Sequence, residues 1–232
     1  MAARSASRGG PRMTNLPRQA SAAGRRYLRW MLCALCWLAP AAALAQESSL
    51  PVRQLVPAQI AAALRAGGNV IYFRHTSTDF SQDDRRMKSY DDCAAQRNLT
   101  DKGREEARRI GAALRALGVA IGDVMASPYC RTVETATLAF GRARRMQEAR
   151  GGPVADRDPQ RYVSLRRIAG SAPPAGTNNV IVSHGNPFMA IAGPPYLAEG
   201  EAAVLAPLGD SKFRVIARIR LEDWDALLSA QP

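Results

Sequence analysis

Two short runs, NVIYF at residues 69–73 and NVIVS at residues 179–183, fix most of what this chain can become. Each is apolar at nearly every position and rich in β-branched or aromatic residues, so each reads as a strand buried on both faces. Strands of that kind belong to parallel sheets covered by helices. The segments between them have the period of helices. Residues 100–117 place Ala107, Ile110, Leu114 and Leu117 on one face, with Thr100 as a cap and Gly118 as a stop. Further helices are expected over 57–66, 128–140, 159–169, 186–192 and 222–229, and further strands over 123–126, 144–149, 202–206 and 213–220. Residues 76–98 and 151–158 are polar and read as loops. The expected fold class is α/β, a three-layer α/β/α sandwich with a mostly parallel sheet and helices on both faces.

In such sheets ligands bind beyond the carboxyl ends of the strands. Three expected strand ends carry polar chemistry: Arg74-His75-Thr76, Ser127-Pro128-Tyr129-Cys130-Arg131, and His184-Gly185-Asn186. The chain has 2 histidines, and both stand at such an end. That pattern suits phosphoryl transfer through a phosphohistidine. A neutral imidazole carries a nucleophilic lone pair. A guanidinium beside it, here Arg74, disfavours the imidazolium by like-charge repulsion. The equatorial oxygens of a phosphoryl group need fixed positive donors, and Arg74 and Arg131 offer planar forks to clamp them. His184, if protonated, donates a further bond. These groups supply the charge that a metal would otherwise supply, so no metal and no cofactor are expected.

Four segments then carry a family resemblance. YFRHTSTD resembles the Arg-His-Gly signature of histidine phosphatases, and LTDKGREEARRIGAALR the helix that follows it. ASPYCRTVETA resembles the family's Ser-Pro-x-x-Arg segment, and VIVSHGNPF its second His-Gly strand end. They occur in the family's order across residues 70–188. The chain thus resembles the histidine phosphatase (phosphoglycerate-mutase-like) superfamily, and within it the small exported bacterial branch. The resemblance implies one α/β/α domain over 46–232, His75 as nucleophile, and Arg74, Arg131 and His184 as the phosphate pocket. It implies a phosphoric monoester hydrolase acting on a phosphorylated small molecule or glycan. The lid insertion of the mutases is not visible, which favours hydrolysis, because a mutase must shield its phosphohistidine from water.

Two features depart from the family. Thr76 replaces the usual glycine after the nucleophile. The general acid, needed to protonate a poor leaving group, has no clear counterpart. Glu148 is nearest to the mutase position but lacks the surrounding pattern. Glu201 is preferred, then Asp79, with Glu199 also a loop carboxylate near a late strand. A substrate with a good leaving group needs little help from an acid.

The first 45 residues read differently from the rest. Arg25, Arg26 and Arg29 precede a short apolar run from Trp30 to Ala39, and Ala43-Leu44-Ala45 offers small residues for a signal peptidase. Residues 1–45 are therefore expected to be an N-terminal extension with a cleavable signal peptide, the Arg pair resembling a twin-arginine signal. A periplasmic or secreted protein follows. The apolar run is too short to span a membrane comfortably, so no stable span is expected after cleavage. The net charge of +12 is concentrated there: removing the seven leader arginines leaves 25 basic against 20 acidic residues. The rest is only mildly basic and lacks a recognition helix or stacking motif, so a nucleic-acid partner is not expected. Two histidines without an i, i+4 pair or clustered carboxylates give zinc little to bind. The remaining alternatives are a non-catalytic binder of phosphorylated ligands and a mutase-type phosphotransferase. Cys93 and Cys130 both fall at the expected edge of the active site. In an oxidising compartment a disulfide between them is favoured.

Overall fold

A computed structural model describes residues 55–152 and 159–230. The leader, its cleavage after Ala45 and most of the loop expected over 151–158 lie outside the described residues. Six strands form one sheet: β1 (Val70–Arg74), β2 (Ile121–Ala126), β3 (Arg144–Arg145), β4 (Asn178–Ser183), β5 (Ala202–Gly209) and β6 (Lys212–Ile219), in the order β3-β2-β4-β1-β5-β6. The pairs β1/β4, β2/β4 and β2/β3 are parallel, while β5 runs antiparallel to β1 and β6 antiparallel to β5. The mostly parallel sheet expected from NVIYF and NVIVS is therefore present, with an antiparallel hairpin completing one side.

Side chains on successive strand residues point to opposite faces, and here each face has its own core. Ile71, Phe73, Val124, Val180, Val182 and Val204 pack on one side with Ile60, Leu64, Ile110, Leu114 and Trp224. These partners come from α1 (Pro57–Ala66), α2 (Asp101–Ala116) and α6 (Trp224–Ser229). Tyr72, Met125, Ile181 and Leu205 pack on the other side with Leu165, Phe188 and Ile191. These belong to α4 (Val163–Ala169) and α5 (Gly185–Ala192). Two cores on two faces of one sheet make the three layers.

Local chemistry explains the elements nearest the site. Thr100 caps α2, its Oγ1 accepting from Gly103 N at 3.0 Å. Gly103 is needed for another reason: a Cβ there would stand 2.0 Å from the Ser77 carbonyl oxygen. The helix can therefore meet the strand-end loop closely only without a side chain. Gly111 does the same for α3 (Cys130–Phe140), where a Cβ would reach within 2.0 Å of Ala139 O.

Some boundaries differ from the expectation. The strand anticipated over 144–149 pairs only at Arg144 and Arg145, and Gln147–Ala149 then forms a 3-10 turn. The buried Met146 and Ala149 turn into the second core instead of continuing the ladder. The helix expected over 159–169 opens with a 3-10 turn, Pro159–Tyr162, before α4. Among the described residues no helix is long and apolar enough to cross a membrane.

Candidate active site

Because β1, β2 and β4 are parallel neighbours, their carboxyl ends reach one edge of the sheet. The ladder continues past the strands, with Ser127 N donating to Val182 O at 2.8 Å and His75 N donating to Ser183 O at 3.0 Å. Backbone pairing thus fixes Ser127 and His75 at the edge of the sheet. The structure brings Arg74, His75, Arg131 and His184 to one cavity of about 390 Å³, lined also by Asp84, Arg85, Arg97, Tyr129, Asn186 and Tyr196. Helices α3 and α5 both begin here, and their N-terminal ends add positive potential.

His75 is buried, and its Nδ1 lies 3.0 Å from Thr76 O. A carbonyl oxygen only accepts, so Nδ1 carries the proton and Nε2 carries the lone pair. Burial holds the pKa of His75 well below the usual histidine value, with Arg131 and then Arg74 adding to the effect. The ring is therefore neutral, oriented by one fixed bond, with its Nε2 lone pair available. Thr76, the residue that departs from the family's glycine, is fully buried and packs on α3, its Oγ1 3.2 Å from Thr135 Oγ1.

His184 stands opposite, 5.4 Å from His75 between ring centroids. Its Nε2 lies 2.8 Å from Ser127 Oγ. The Tyr72 hydroxyl donates to its carbonyl at 2.9 Å. Gly151 presses on the ring, since a Cβ there would come within 3.0 Å of His184 Cδ2. Burial, then Arg131 and His75, hold its pKa well below the ordinary value. The unliganded ring is thus neutral, and the protonated donor considered above requires an anion to be present.

The arginines are held differently. Arg74 donates Nη1 to Leu197 O at 2.9 Å and Nη2 to Glu199 Oε1 at 3.3 Å. Arg131 is buried, stacks on the Tyr129 ring at 4.5 Å and donates both Nη groups to Asp84, at 3.0 and 3.1 Å. Glu199 lies 3.9 Å from His75 Nδ1 and also accepts from Thr78 N and Oγ1, at 3.1 and 2.7 Å. It braces Arg74 and faces the Nδ1 side of His75, away from Nε2.

The expected acids require correction. Glu201 does not line the cavity. It is buried in an ion pair with Arg218, whose Nε stands 2.6 Å from Oε1, and it accepts from Ala198 N at 2.7 Å. Its work is to fix the segment that presents Tyr196 and Leu197. Asp79 also lies outside the cavity lining. Its Oδ1 accepts from Ser81 Oγ and N, at 2.7 and 2.9 Å, and these bonds hold its carboxyl below the usual range, which disfavours proton donation. Glu148 is exposed on the 3-10 turn. Reading by sequence missed Asp84, which no periodicity marks, and the bracing of the site by Tyr129, Ser127 and Asn186. These three were visible in the strand-end segments but carried no assigned role.

Two buried neutral histidines carry a cost in acid. In the unfolded chain each takes up a proton near pH 6.5, whereas in the folded chain each does so only at lower pH. Between those values the unfolded state binds more protons, so stability falls as pH drops below about 6.5, by up to about 1.4 kcal/mol per pH unit for each ring. Denaturant titrations from pH 7 to 5 are expected to show this fall, with a shallower slope in His184→Gln. Equal slopes in the two proteins would refute it.

Comparison with known proteins finds similarity over part of the chain. No curated protein matches it. Among solved structures it is similar to the protein histidine phosphatase SixA complexed with tungstate, at 16% identity and a TM-score of 0.49, covering 67% of this chain and 98% of that one. It is similar to YhfR of Bacillus stearothermophilus, at 18% identity and a TM-score of 0.45, covering 64% and 95%. It is also similar to a phosphoserine phosphatase of Entamoeba histolytica in complex with phosphoserine, at 12% identity and a TM-score of 0.42, covering 65% and 95%. The family model described as histidine phosphatase superfamily (branch 1) matches residues 70–152. That matched segment carries Arg74, His75 and Arg131.

Proposed function

We propose that this protein is a phosphomonoesterase that works through a phosphohistidine on His75, without a metal, on a phosphorylated small molecule or glycan. The observation that carries the reading is the state of His75: buried, neutral, and held through Nδ1 so that Nε2 is free in a cavity with two arginines. In the first step Nε2 forms a bond to phosphorus while the bond from phosphorus to the ester oxygen breaks. That oxygen leaves as the alcohol after gaining a proton. Arg74 and Arg131 stabilise the charge on the equatorial oxygens. The incoming dianion favours protonation of His184, which then donates to it. Glu199 faces the ring as it gains positive charge on phosphorylation. In the second step a water oxygen attacks phosphorus, the P–N bond breaks, and the electron pair returns to Nε2.

The site belongs with the export reading made from the leader: a periplasmic or secreted enzyme whose substrate reaches it outside the cytoplasm. Trapping tests the chemistry. Protein from Gln46 onward is mixed in chelator with a phosphoryl-labelled aryl phosphate and quenched in alkali. Label is expected on His75, stable to alkali and lost in acid. Turnover without any such label would sink the covalent route.

A further inference from the structure

The reaction above leaves one proton without a donor. An alkyl phosphate departs as an alkoxide, which is a poor leaving group unless it is protonated as the bond breaks. Among the described residues that line the cavity, Asp84 bears the sole carboxyl group. Its position is specific. Oδ1 and Oδ2 accept from Arg131 Nη1 and Nη2 at 3.0 and 3.1 Å, and Arg97 N donates to Oδ1 at 2.9 Å. This is the bidentate geometry in which a guanidinium also holds two oxygens of a phosphoryl group. One pair of N–H groups cannot hold both anions.

We infer that Asp84 is the general acid: it rests on the fork of Arg131, yields that place to the substrate phosphoryl, and then protonates the leaving oxygen. The inference rests on the phosphohistidine reading. The exchange calls for the Asp84 side chain to turn away from Arg131 and from Arg97 N. The Asp84 side chain is 30% exposed, and its loop is pinned at the base, where Thr78 bridges Leu99 and Asp79 N donates to Asn98 O at 3.0 Å. As the phosphoryl group takes the fork of Arg131, the freed Asp84 carboxylate takes up one proton from solvent, the proton that it gives to the leaving oxygen.

The step balances. Nε2 of His75 bonds to phosphorus, and the P–O bond to the alcohol breaks with its electron pair on oxygen. That oxygen takes the proton of Asp84, which becomes a carboxylate. In the second half the carboxylate takes a proton from water as the water oxygen bonds to phosphorus and the P–N bond breaks. Asp84 is protonated again. As phosphate leaves, that proton passes to it, and the carboxylate returns to Arg131.

The experiment compares wild type, Asp84→Asn and Asp84→Glu on p-nitrophenyl phosphate, which needs no acid, and on glycerol 2-phosphate, which does. Asparagine can still offer an oxygen to Arg131 but has no proton to give. The ratio of kcat/KM on the alkyl ester to that on the aryl ester is expected to fall by about 10²-fold or more in Asp84→Asn. In Asp84→Glu the ratio is expected to recover in part. An equal loss on both esters, or no change in the ratio, would overturn the assignment while leaving His75 untouched. A wild type that turns over neither ester and labels no histidine overturns the covalent reading, and the role of Asp84 with it.

Discussion

His75→Ala is expected to lose turnover of any phosphomonoester by a factor on the order of 10⁴ or more. Among the described residues that line the cavity, no other group can take its place. The second imidazole has its Nε2 against Ser127 Oγ at 2.8 Å, and the remaining basic side chains are guanidinium groups without a lone pair to offer. What survives is the positive pocket, which still gathers a phosphate and stabilises charge on it. The variant is therefore expected to bind inorganic phosphate, read by titration calorimetry, while turning over nothing. That split separates a lost nucleophile from a collapsed site. Residual turnover within about tenfold of wild type would mean that water attacks the substrate directly and that His75 only helps to bind it.

The parts of this site that the sequence exposed are those positioned by backbone pairing. NVIYF and NVIVS are legible because strands buried on both faces must be apolar throughout. Arg74, His75 and His184 are legible because they immediately follow those strands. Arg131 is legible because it opens the helix after β2. The residues that were misjudged are placed by side-chain contacts between distant segments. Asp84 meets Arg131 across 47 residues, from a loop of polar residues in which any carboxylate looks as solvated as the next. Glu201 looked like a loop acid, yet Arg218 reaches it from the neighbouring strand, in a register that pairs Ala203 with Arg218. Arg218, between Ala217 and Ile219 near the end of β6, was a signal for a partner carboxylate nearby. The short β3 was overread because RRMQEA has too few residues to show whether Met146 continues the strand or turns inward.

Removing the bond between Cys93 and Cys130 is expected to destabilise the protein by about 3–4 kcal/mol. The cysteines are joined across 37 residues, and their Cα atoms stand 5.7 Å apart. A cross-link of that span mainly restricts the unfolded chain. For a domain of this size the loss corresponds to a melting point lower by roughly 10 °C. The effect should reach the site as well. The bond ties the loop bearing Asp84 and Arg97 to the first residue of α3, immediately before Arg131. Its companion is Gln96, whose Oε1 accepts from Cys130 N at 2.9 Å. The loop has few apolar anchors of its own: Phe80 is exposed and lies under the Arg97 guanidinium at 4.9 Å. With the bond gone, the loop is held to α3 by polar contacts such as that of Gln96 with Cys130 N and that of Asp84 with Arg131. On p-nitrophenyl phosphate, which needs no acid, KM is then expected to rise more than kcat falls, because the loop supplies binding groups while His75 stays fixed by the sheet. Cys93→Ser with Cys130→Ser, and the wild type in reductant, should agree in melting point and in KM. A reduced protein with two titratable thiols and an unchanged melting point would show that the polar contacts suffice. In that case the stability of the loop would not depend on the oxidising compartment to which the leader is expected to send the chain.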